Sequence, residues 1–572
     1  MKMNYPDYPE SLKEPLDFQQ FKSLGELLEK SENLYSDHVA LINYGATLTY
    51  SDVANLSQRL MLYFSKLDLK KGDRVALFMP NILQFIIAAG ACLKYGLVIV
   101  NINPLYTARE LTHVLKDSEP RMIIMLENFA HVLADVDQSL HPDFIVLTEL
   151  GDCFSWMKRT VMNFIVKHIK KLVKPYRPFN KFIKWSELMS ISDYSAIIRF
   201  DINQSDIAFL QYTGGTTGTP KGAILSHGNM IANILQARSW VKSYFPDVAQ
   251  YTVGTALPLY HIFSLTANFF TFYSLGSKNL LITNPRDLKE FIKQWIKYPI
   301  QALSGVNTLF NALLNHPDFD SIPIEKLKLS FGGGMAIQKV VAERWHQKTG
   351  MPIVQAYGLT EASPAVAINP LNQKLFNGSI GLPVPGTLVR IVNNDGIDQV
   401  YGEIGELWVK GPQVMQGYWK NPVETAQVLT EDGWLKTGDM GYQREDGYIF
   451  LVDRKKEMII VSGFNVYPTE IEDILMKHPS IKEIAVIGDL DAHGNEYVKA
   501  FCVLKDGYKL DPESLEQFSR KSLTAYKVPR VFIAVPDLPK SPVGKILKKD
   551  LKSLYHDLMS HGTIDPHSSE HE

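Results

Sequence analysis

Four glycines, four threonine hydroxyls and a lysine crowd into Tyr212-Thr213-Gly214-Gly215-Thr216-Thr217-Gly218-Thr219-Pro220-Lys221-Gly222. Glycine lets the backbone turn tightly and bring its N–H groups close to an anion, the hydroxyls add donors, and Lys221 supplies a positive charge. That chemistry is a phosphate cradle. It is not the Walker form, in which Gly-Lys is followed by Ser or Thr, because Pro220 precedes Lys221 and Gly222 follows it. The other Gly-Lys pair, Gly544-Lys545, runs into Ile546. A flexible linker can share this composition, but a linker needs neither the lysine nor the apolar run at 207–210. That run, and the helical spacing that opens near His227-Gly228-Asn229, place the loop on a strand-to-helix connection.

The eleven residues resemble the signature of the adenylate-forming enzymes, which include acyl-CoA synthetases, luciferases and peptide-synthetase adenylation domains. In that family the loop holds the β- and γ-phosphates of ATP while a carboxylate attacks the α-phosphate. The resemblance therefore implies that Thr213, Gly214, Gly215, Thr216, Thr217, Gly218 and Lys221 bind the nucleotide, with Thr217 also near the metal. Further motifs follow in the family's order. Phe331-Gly332-Gly333-Gly334-Met335 is similar to the loop whose backbone approaches adenine, although three glycines also suit any tight turn. In Tyr357-Gly358-Leu359-Thr360-Glu361, Tyr357 offers an aromatic face for a purine, Thr360 a donor for a phosphate oxygen, and Glu361 a hard oxygen ligand for Mg2+. Asp439, ending Trp434-Leu435-Lys436-Thr437-Gly438-Asp439, matches the aspartate that accepts hydrogen bonds from both ribose hydroxyls.

Later in the chain, Asp453-Arg454-Lys455-Lys456-Glu457 reads alone as a charged surface turn, yet it is similar to the family's junction between a large and a small domain. The resemblance gives Arg454 to the ribose and Lys456 to a hinge. Gly463 and Phe464 belong to a loop that faces the active site of the family only for thioester formation. Lys545 matches the lysine whose ammonium bridges carboxylate and α-phosphate; read alone it is one more exposed lysine beside Lys548 and Lys549. His261, in Leu257-Pro258-Leu259-Tyr260-His261-Ile262-Phe263, reads by itself as a packed core histidine and, by resemblance, lines the carboxylate pocket. Within the family, Gly305-Val306-Asn307-Thr308-Leu309-Phe310, residues 452–472 and the Lys545 segment look like those of bacterial long-chain fatty-acid-CoA ligases, which adds Gly305 and Val306 to the substrate side.

Residues 48–64 have helical spacing, with Tyr50, Val53, Leu56 and Leu60 on one face. Residues 74–79, 85–95 and 97–100 read as strand, helix and strand, which argues a βαβ unit in a largely parallel sheet. Short buried strands at 122–125 and 144–147 extend it, and alternating strands and helices near the end suit a small α+β domain. The periodicity gives an α/β fold, and the resemblance implies its division into a large N-terminal layered domain and a small mobile C-terminal α+β domain. The boundaries are 1–452 for the ATP- and acyl-binding domain, 453–456 for the hinge, 457–561 for the catalytic-lysine domain and 562–572 for a disordered tail.

At 572 residues the chain exceeds one ordinary core. An apolar share of 45% with 21% charged residues is that of a globular protein, and a net charge of −2 gives no global attraction to nucleic acid. Cys92, Cys153 and Cys502 are too far apart in sequence for a disulfide framework or a CxxC metal site, which points to the reducing cytoplasm. The start lacks the basic end and apolar run of a secretory signal. Residues 153–187 differ from their surroundings, with nine Lys or Arg and no acidic residue before Glu187. Met157, Val161, Ile165, Ile169 and Leu172 can share one helical face there, so the segment either lies peripherally on an anionic membrane or docks on its own domain with a solvated charged face.

The resemblance implies an ATP-dependent ligase that joins a long-chain fatty acid to CoA through acyl-AMP, with Mg2+ and with ATP and CoA as co-substrates. Lys545, Lys221 and Thr360 carry the catalysis, and homodimers occur among relatives. A medium-chain or aryl acyl-CoA ligase, a fatty-acyl-AMP ligase, and a membrane-docked lipid-binding protein with an inactive ATP site are the competing readings. A peptide-synthetase domain would carry an acidic residue near His261, where this chain has His-Ile-Phe.

Overall fold

A computed structural model describes residues 5–190, 197–213, 220–461, 464–491, 494–541 and 544–551, together with 553 and 555. Gly214, Gly215, Thr216, Thr217, Gly218, Gly463 and the segment 562–572 lie outside the described residues. The strand Arg74–Phe78, the helix Leu83–Tyr95 and the strand Val98–Asn101 form the expected βαβ unit, with Arg74 opposite Val98 in parallel register. Their sheet has seven strands in the order Ile183–Lys184, Phe144–Thr148, Met122–Leu126, Arg74–Phe78, Val98–Asn101, Ile207–Thr213 and Lys221–Ser226. Met122–Leu126 is buried at every position, as a parallel strand covered on both faces must be.

A second sheet of nine strands has a parallel centre, running from Ile353–Gly358 through Leu329–Gly332, Ala302–Gly305, Thr252–Thr255 and Lys278–Leu281 to Val39–Asn43. Antiparallel strands close both of its edges. The helix Leu83–Tyr95 is apolar nearly all round and wholly buried, the expected fate of such a helix. Its one charge, Lys94, meets Glu32 of the helix Leu24–Leu34 at 2.5 Å, with both side chains under 5% exposed.

The chain then builds a four-stranded antiparallel sheet from Leu388–Val392, Gly405–Lys410, Leu435–Gln443 and Ile449–Arg454. Beyond it, the hairpin Ile459–Val461 and Phe464–Val466 and the three-stranded sheet Ile481–Leu490, Glu496–Leu504 and Val531–Ala534 pack with the helices Pro468–Leu475 and Pro512–Arg520. Ile459, Val466, Ile471, Val486 and Phe532 belong to a hydrophobic cluster of this region's own, which gives the small α+β unit its core. Cys92, Cys153 and Cys502 are free. Among the described residues no helix is long and apolar enough to cross a membrane.

One local expectation is corrected. The phosphate-cradle stretch joins two strands, not a strand and a helix: Ile207–Thr213 and Lys221–Ser226 pair antiparallel, with Thr213 opposite Lys221 and Ile207 opposite Ser226. The helix His227–Tyr244 starts only after this second strand, where the Ser226 side chain accepts from the N–H of Asn229 and Asn229 answers as a capping box. Lys221-Gly222-Ala223-Ile224-Leu225-Ser226 is too short for periodicity to separate it from the helix that follows.

Breaking the buried Lys94–Glu32 pair leaves an uncompensated charge, a loss on the order of 3–5 kcal/mol. Lys94→Met is therefore expected to lower the thermal unfolding midpoint markedly, and Glu32→Gln added to it to restore part of the loss. Calorimetry on the two variants and the parent checks this, and a double variant no better than the single would contradict it.

Candidate active site

Asp439 and Arg454 lie directly opposite each other on neighbouring strands of the four-stranded sheet, so the sheet register itself pairs them. The Arg454 Nε lies 3.1 Å from Asp439 Oδ1, and the Tyr357 hydroxyl donates to Asp439 Oδ2 at 2.5 Å. Tyr357 comes from the end of Ile353–Gly358 in the nine-stranded sheet, and thus the triad ties two sheets together. Burial and the adjacent Asp439 carboxylate push the Tyr357 phenol well above its usual range, which keeps it a donor. These three residues line a polar cavity of about 460 Å³, within the size range of small-molecule sites.

Lys545 reaches the same cavity from the C-terminal unit. Its loop is closed locally: the Ser541 N–H donates to Lys545 O at 2.7 Å and the Lys545 N–H to Ser541 Oγ at 3.1 Å. Gly544 has φ +83° and touches the large domain, where the Thr308 hydroxyl donates to its carbonyl at 3.3 Å. A Cβ at 544 would come within 2.5 Å of Thr308 Oγ1, so only glycine allows this approach. Desolvation, followed by the nearby Arg454 charge, lowers the Lys545 pKa to about 8. Three residues on, Lys548 is not an exposed lysine. It pairs with Glu472 at 2.7 Å and lies 3.7 Å from Glu457, which anchors the Lys545 segment to the helix Pro468–Leu475.

Lys221 forms an ion pair with Glu424 and lies 5.5 Å from the centre of the Tyr418 ring. The Tyr418 hydroxyl donates in turn to Glu361 Oε1 at 2.7 Å. Lys221, Tyr418 and Glu361 are therefore one connected group although they come from three distant stretches. The backbone makes the connection: the Ile224 N–H donates to the Gly417 carbonyl and the Trp419 N–H to the Gly222 carbonyl, which lays the Tyr418 segment against the strand Lys221–Ser226. Neither Glu424 nor Tyr418 stands out in the sequence. Asn421 as the cap and Pro422 at the first position of the helix Pro422–Val428 are the local signals that Glu424 sits in an ordered first turn.

Behind the polar cavity is an apolar one, whose walls include Trp240, Val241, Phe272, Phe331 and Ile368 as well as His261 and Thr360. The two cavities share Gly334, Ala356, Tyr357 and Gly358. His261 Nδ1 accepts from the Phe263 N–H at 3.3 Å, and the residue lines this apolar cavity. Desolvation and then the charge of Lys545 lower its pKa to about 4, so the imidazole is neutral. The helical segment after it contains a π-helical stretch, Leu265–Phe270, of the kind often found where a helix borders a site.

The remaining predicted residues fall on both sides of this centre. Gly333 and Gly334 line the apolar cavity, whereas Gly332 sits behind them in its strand, where a Cβ would come within 2.6 Å of Ile337. Gly305 faces Gly332 in parallel register, and Val306 stands beside Gly334 and Gly544. Lys456 is exposed at the surface, its pKa lowered by desolvation and then by the Arg454 charge. Thr213 ends its strand, with its hydroxyl 3.5 Å from the Lys221 carbonyl. Phe464 is not brought to the cavity; it is exposed and stacks on Tyr526 at 4.8 Å.

The sequence pattern of the AMP-binding enzyme family matches residues 28–419, and that of the AMP-binding enzyme C-terminal domain matches residues 470–545. The chain is 46% identical to a long-chain-fatty-acid–CoA ligase of Salmonella typhimurium over 95% of its length and 97% of the relative's. A ligase of the same name from Bacillus subtilis is 36% identical over 95% of this chain and 96% of its own. The fold is shared with the anthranilate CoA ligase AuaEII, solved with anthranoyl-AMP, at a TM-score of 0.84 and 23% identity over 95% of this chain and 100% of that one. ATP-bound MatB from Rhodopseudomonas palustris aligns at a TM-score of 0.76 and 25% identity over 93% and 99%. With both of its regions matched in order and such relatives along nearly its whole length, the chain belongs to the AMP-binding enzyme family.

Proposed function

We propose that the chain is a long-chain fatty-acid–CoA ligase that works through an acyl-adenylate. The observation that carries this reading is the shared wall of Gly334, Ala356, Tyr357 and Gly358, by which an apolar cavity adjoins a polar one lined by Asp439, Arg454 and Lys545. A carboxylate at the head of an apolar chain would meet a nucleotide there. The relatives named above are long-chain-fatty-acid–CoA ligases along nearly their whole length, which favours that substrate class.

In the first step a carboxylate oxygen attacks the α-phosphorus of ATP, an O–P bond forms, and pyrophosphate leaves with the electron pair of the broken bond. In the second, CoA sulfur attacks the acyl carbon, a C–S bond forms, AMP leaves with the C–O electrons, and the thiol proton passes to solvent. The first step brings anions together, so positive charge at the junction is the main need. Lys545 supplies it at the cavity and Lys221 beside the phosphate loop; Thr360 donates from the wall of the apolar cavity. Asp439 accepts from the ribose, with Arg454 beside it, while Tyr357 and the Gly333-Gly334 turn form the adenine side. His261, being neutral, adds no charge to the carboxylate's approach.

Mg2+ fits the residues present. Among the described residues no three His, Cys, Asp or Glu converge. A single carboxylate, Glu361, next to Thr360, suits an ion held largely by substrate phosphates. Bound there, Mg2+ would offset phosphate charge. We place the reaction in the cytoplasm, where ATP and CoA are available, and assign residues 1–452 and 457–561 to two domains joined by a hinge at 453–456. Rotation about Lys456 would withdraw Lys545 and bring in the Gly463-Phe464 loop for thioester formation.

Thioester formation with acetate, octanoate, palmitate, oleate and benzoate tests the reading: palmitate and oleate should react best, and no fatty-acid-dependent pyrophosphate release would overturn it. Lys545→Ala should slow adenylate formation by roughly two to three orders of magnitude, yet leave thioester formation from supplied acyl-AMP largely intact. Because the Lys545 pKa lies near 8, its ammonium is lost as pH rises through that value, so kcat/KM for pyrophosphate release should fall above about pH 8. Lys456→Pro restricts the backbone and should have the opposite selectivity to Lys545→Ala, impairing the thioester half-reaction; a loss confined to adenylation would contradict the hinge.

A further inference from the structure

The helix Trp156–Phe164 and its π-helical continuation Ile165–Ile169 are held to the large domain by one face only. Met162 and Val166 pack on the main core, the Asn163 amide donates to Glu149 at 2.8 Å, Arg159 pairs with Asp152 at 3.0 Å, and Lys167 pairs with Glu127 at 3.2 Å. The other face carries Met157, Val161, Phe164 and Ile169, and Leu172 follows just beyond the helix, all exposed. Spacings of four and three residues keep Met157, Val161 and Phe164 in line, and the five-residue repeat of a π-turn keeps Ile169 beneath Phe164. Trp156, at the start of the helix, is 76% exposed, Phe164 56% and Ile169 65%. A contiguous apolar stripe of this kind is uncommon on a surface meant only for water.

Its surroundings identify what covers it. Lys170, Lys171, Lys174, Arg177 and Lys181 follow the stripe, all exposed, and none has a carboxylate within ion-pair distance among the described residues. The chain as a whole carries −2, so this cationic patch is local and gives the molecule an orientation. A second copy docked by twofold symmetry would bring two such patches face to face, which like charges oppose. Aliphatic and aromatic side chains flanked by lysines, with an indole at the edge, match the boundary between acyl chains and anionic headgroups.

We propose that residues 156–181 form a membrane-docking surface, in which Met157, Val161, Phe164, Ile169 and Leu172 enter the acyl boundary of an anionic leaflet while Lys170, Lys171, Lys174, Arg177 and Lys181 hold its headgroups. This goes beyond the ligase reading and does not depend on turnover. The segment keeps its own domain contacts when docked, since Met162, Val166, Arg159 and Lys167 lie on the opposite face.

Flotation of the full chain with vesicles of equal parts phosphatidylglycerol and phosphatidylcholine, against phosphatidylcholine alone, tests it. Binding should require phosphatidylglycerol and weaken with salt. A Lys170→Gln/Lys171→Gln/Lys174→Gln variant should partition roughly a hundred-fold less well, from about five-fold per charge. Val161→Ser/Phe164→Ser/Ile169→Ser should abolish flotation, while both variants retain the parent's thermal midpoint and its adenylation rate on dissolved octanoate. Equal flotation of parent and both variants would overturn the proposal. So would a parent that fails to float but dimerises in sedimentation, with the serine variant monomeric, since the stripe would then face a second copy.

Discussion

A lysine ammonium beside an arginine, in a cavity that partly excludes water, is electrostatically uphill, and the arrangement of this protein's C-terminal region is organised around holding one there. Lys545 keeps that place because its loop is closed on Ser541, because Gly544 can approach Thr308 where any side chain would collide, and because Lys548 is tied to Glu472. The large domain contributes the opposite charge through Asp439. Positive charge at the junction thus depends on contact between two structural units, not on either alone. Under the proposed two-step route, that dependence is what allows the charge to be present for one half-reaction and absent for the next.

The side proposed for the nucleotide is built on the opposite plan. Asp439, Arg454 and Tyr357 are fixed by strand register and by a hydrogen bond between sheets, so their relative positions follow from the most cooperative parts of the fold. Lys221 has a looser setting, at the head of an outer strand, with Glu424 and Tyr418 delivered by a segment that lies across it. An ion pair between Lys221 and Glu424 gives the lysine a partner that an arriving phosphate can replace. Under the proposed reading, rigid donors and acceptors would meet the nucleoside and exchangeable charge the phosphates, which suits a site through which anions enter and leave.

Apolar surface is distributed in two places that ordinary core formation does not explain. One lies inside, between His261 and the Trp240 end of the enclosed cavity; the other lies outside, on the helix that begins at Trp156. The sequence pattern of that helix suggested that its apolar face would be the one used for docking on the domain or on lipid. In the structure the domain contact is made by Met162, Val166 and paired polar groups instead, and the apolar stripe is left free. Helical spacing shows which residues share a face, but not which face a domain will take.

Read alone, the sequence determined the layered α/β class, the βαβ unit at 74–100, the buried helix at 85–95 and the residue types of the candidate site, because periodicity and glycine-rich motifs are local signals. It did not determine that the phosphate-cradle stretch lies between paired strands, since a six-residue strand has too few side chains for its alternation to be told from the helix it leads into. Nor could it find Glu424, Tyr418 or the paired role of Lys548, which acquire meaning only from partners as far as 203 residues away in the chain. The meeting of the apolar and polar cavities across Gly334 and residues 356–358 was likewise decided by tertiary structure. Chemistry that resides in one side chain can be read from its letter, whereas a shared wall or a displaced proton depends on distances that only packing sets.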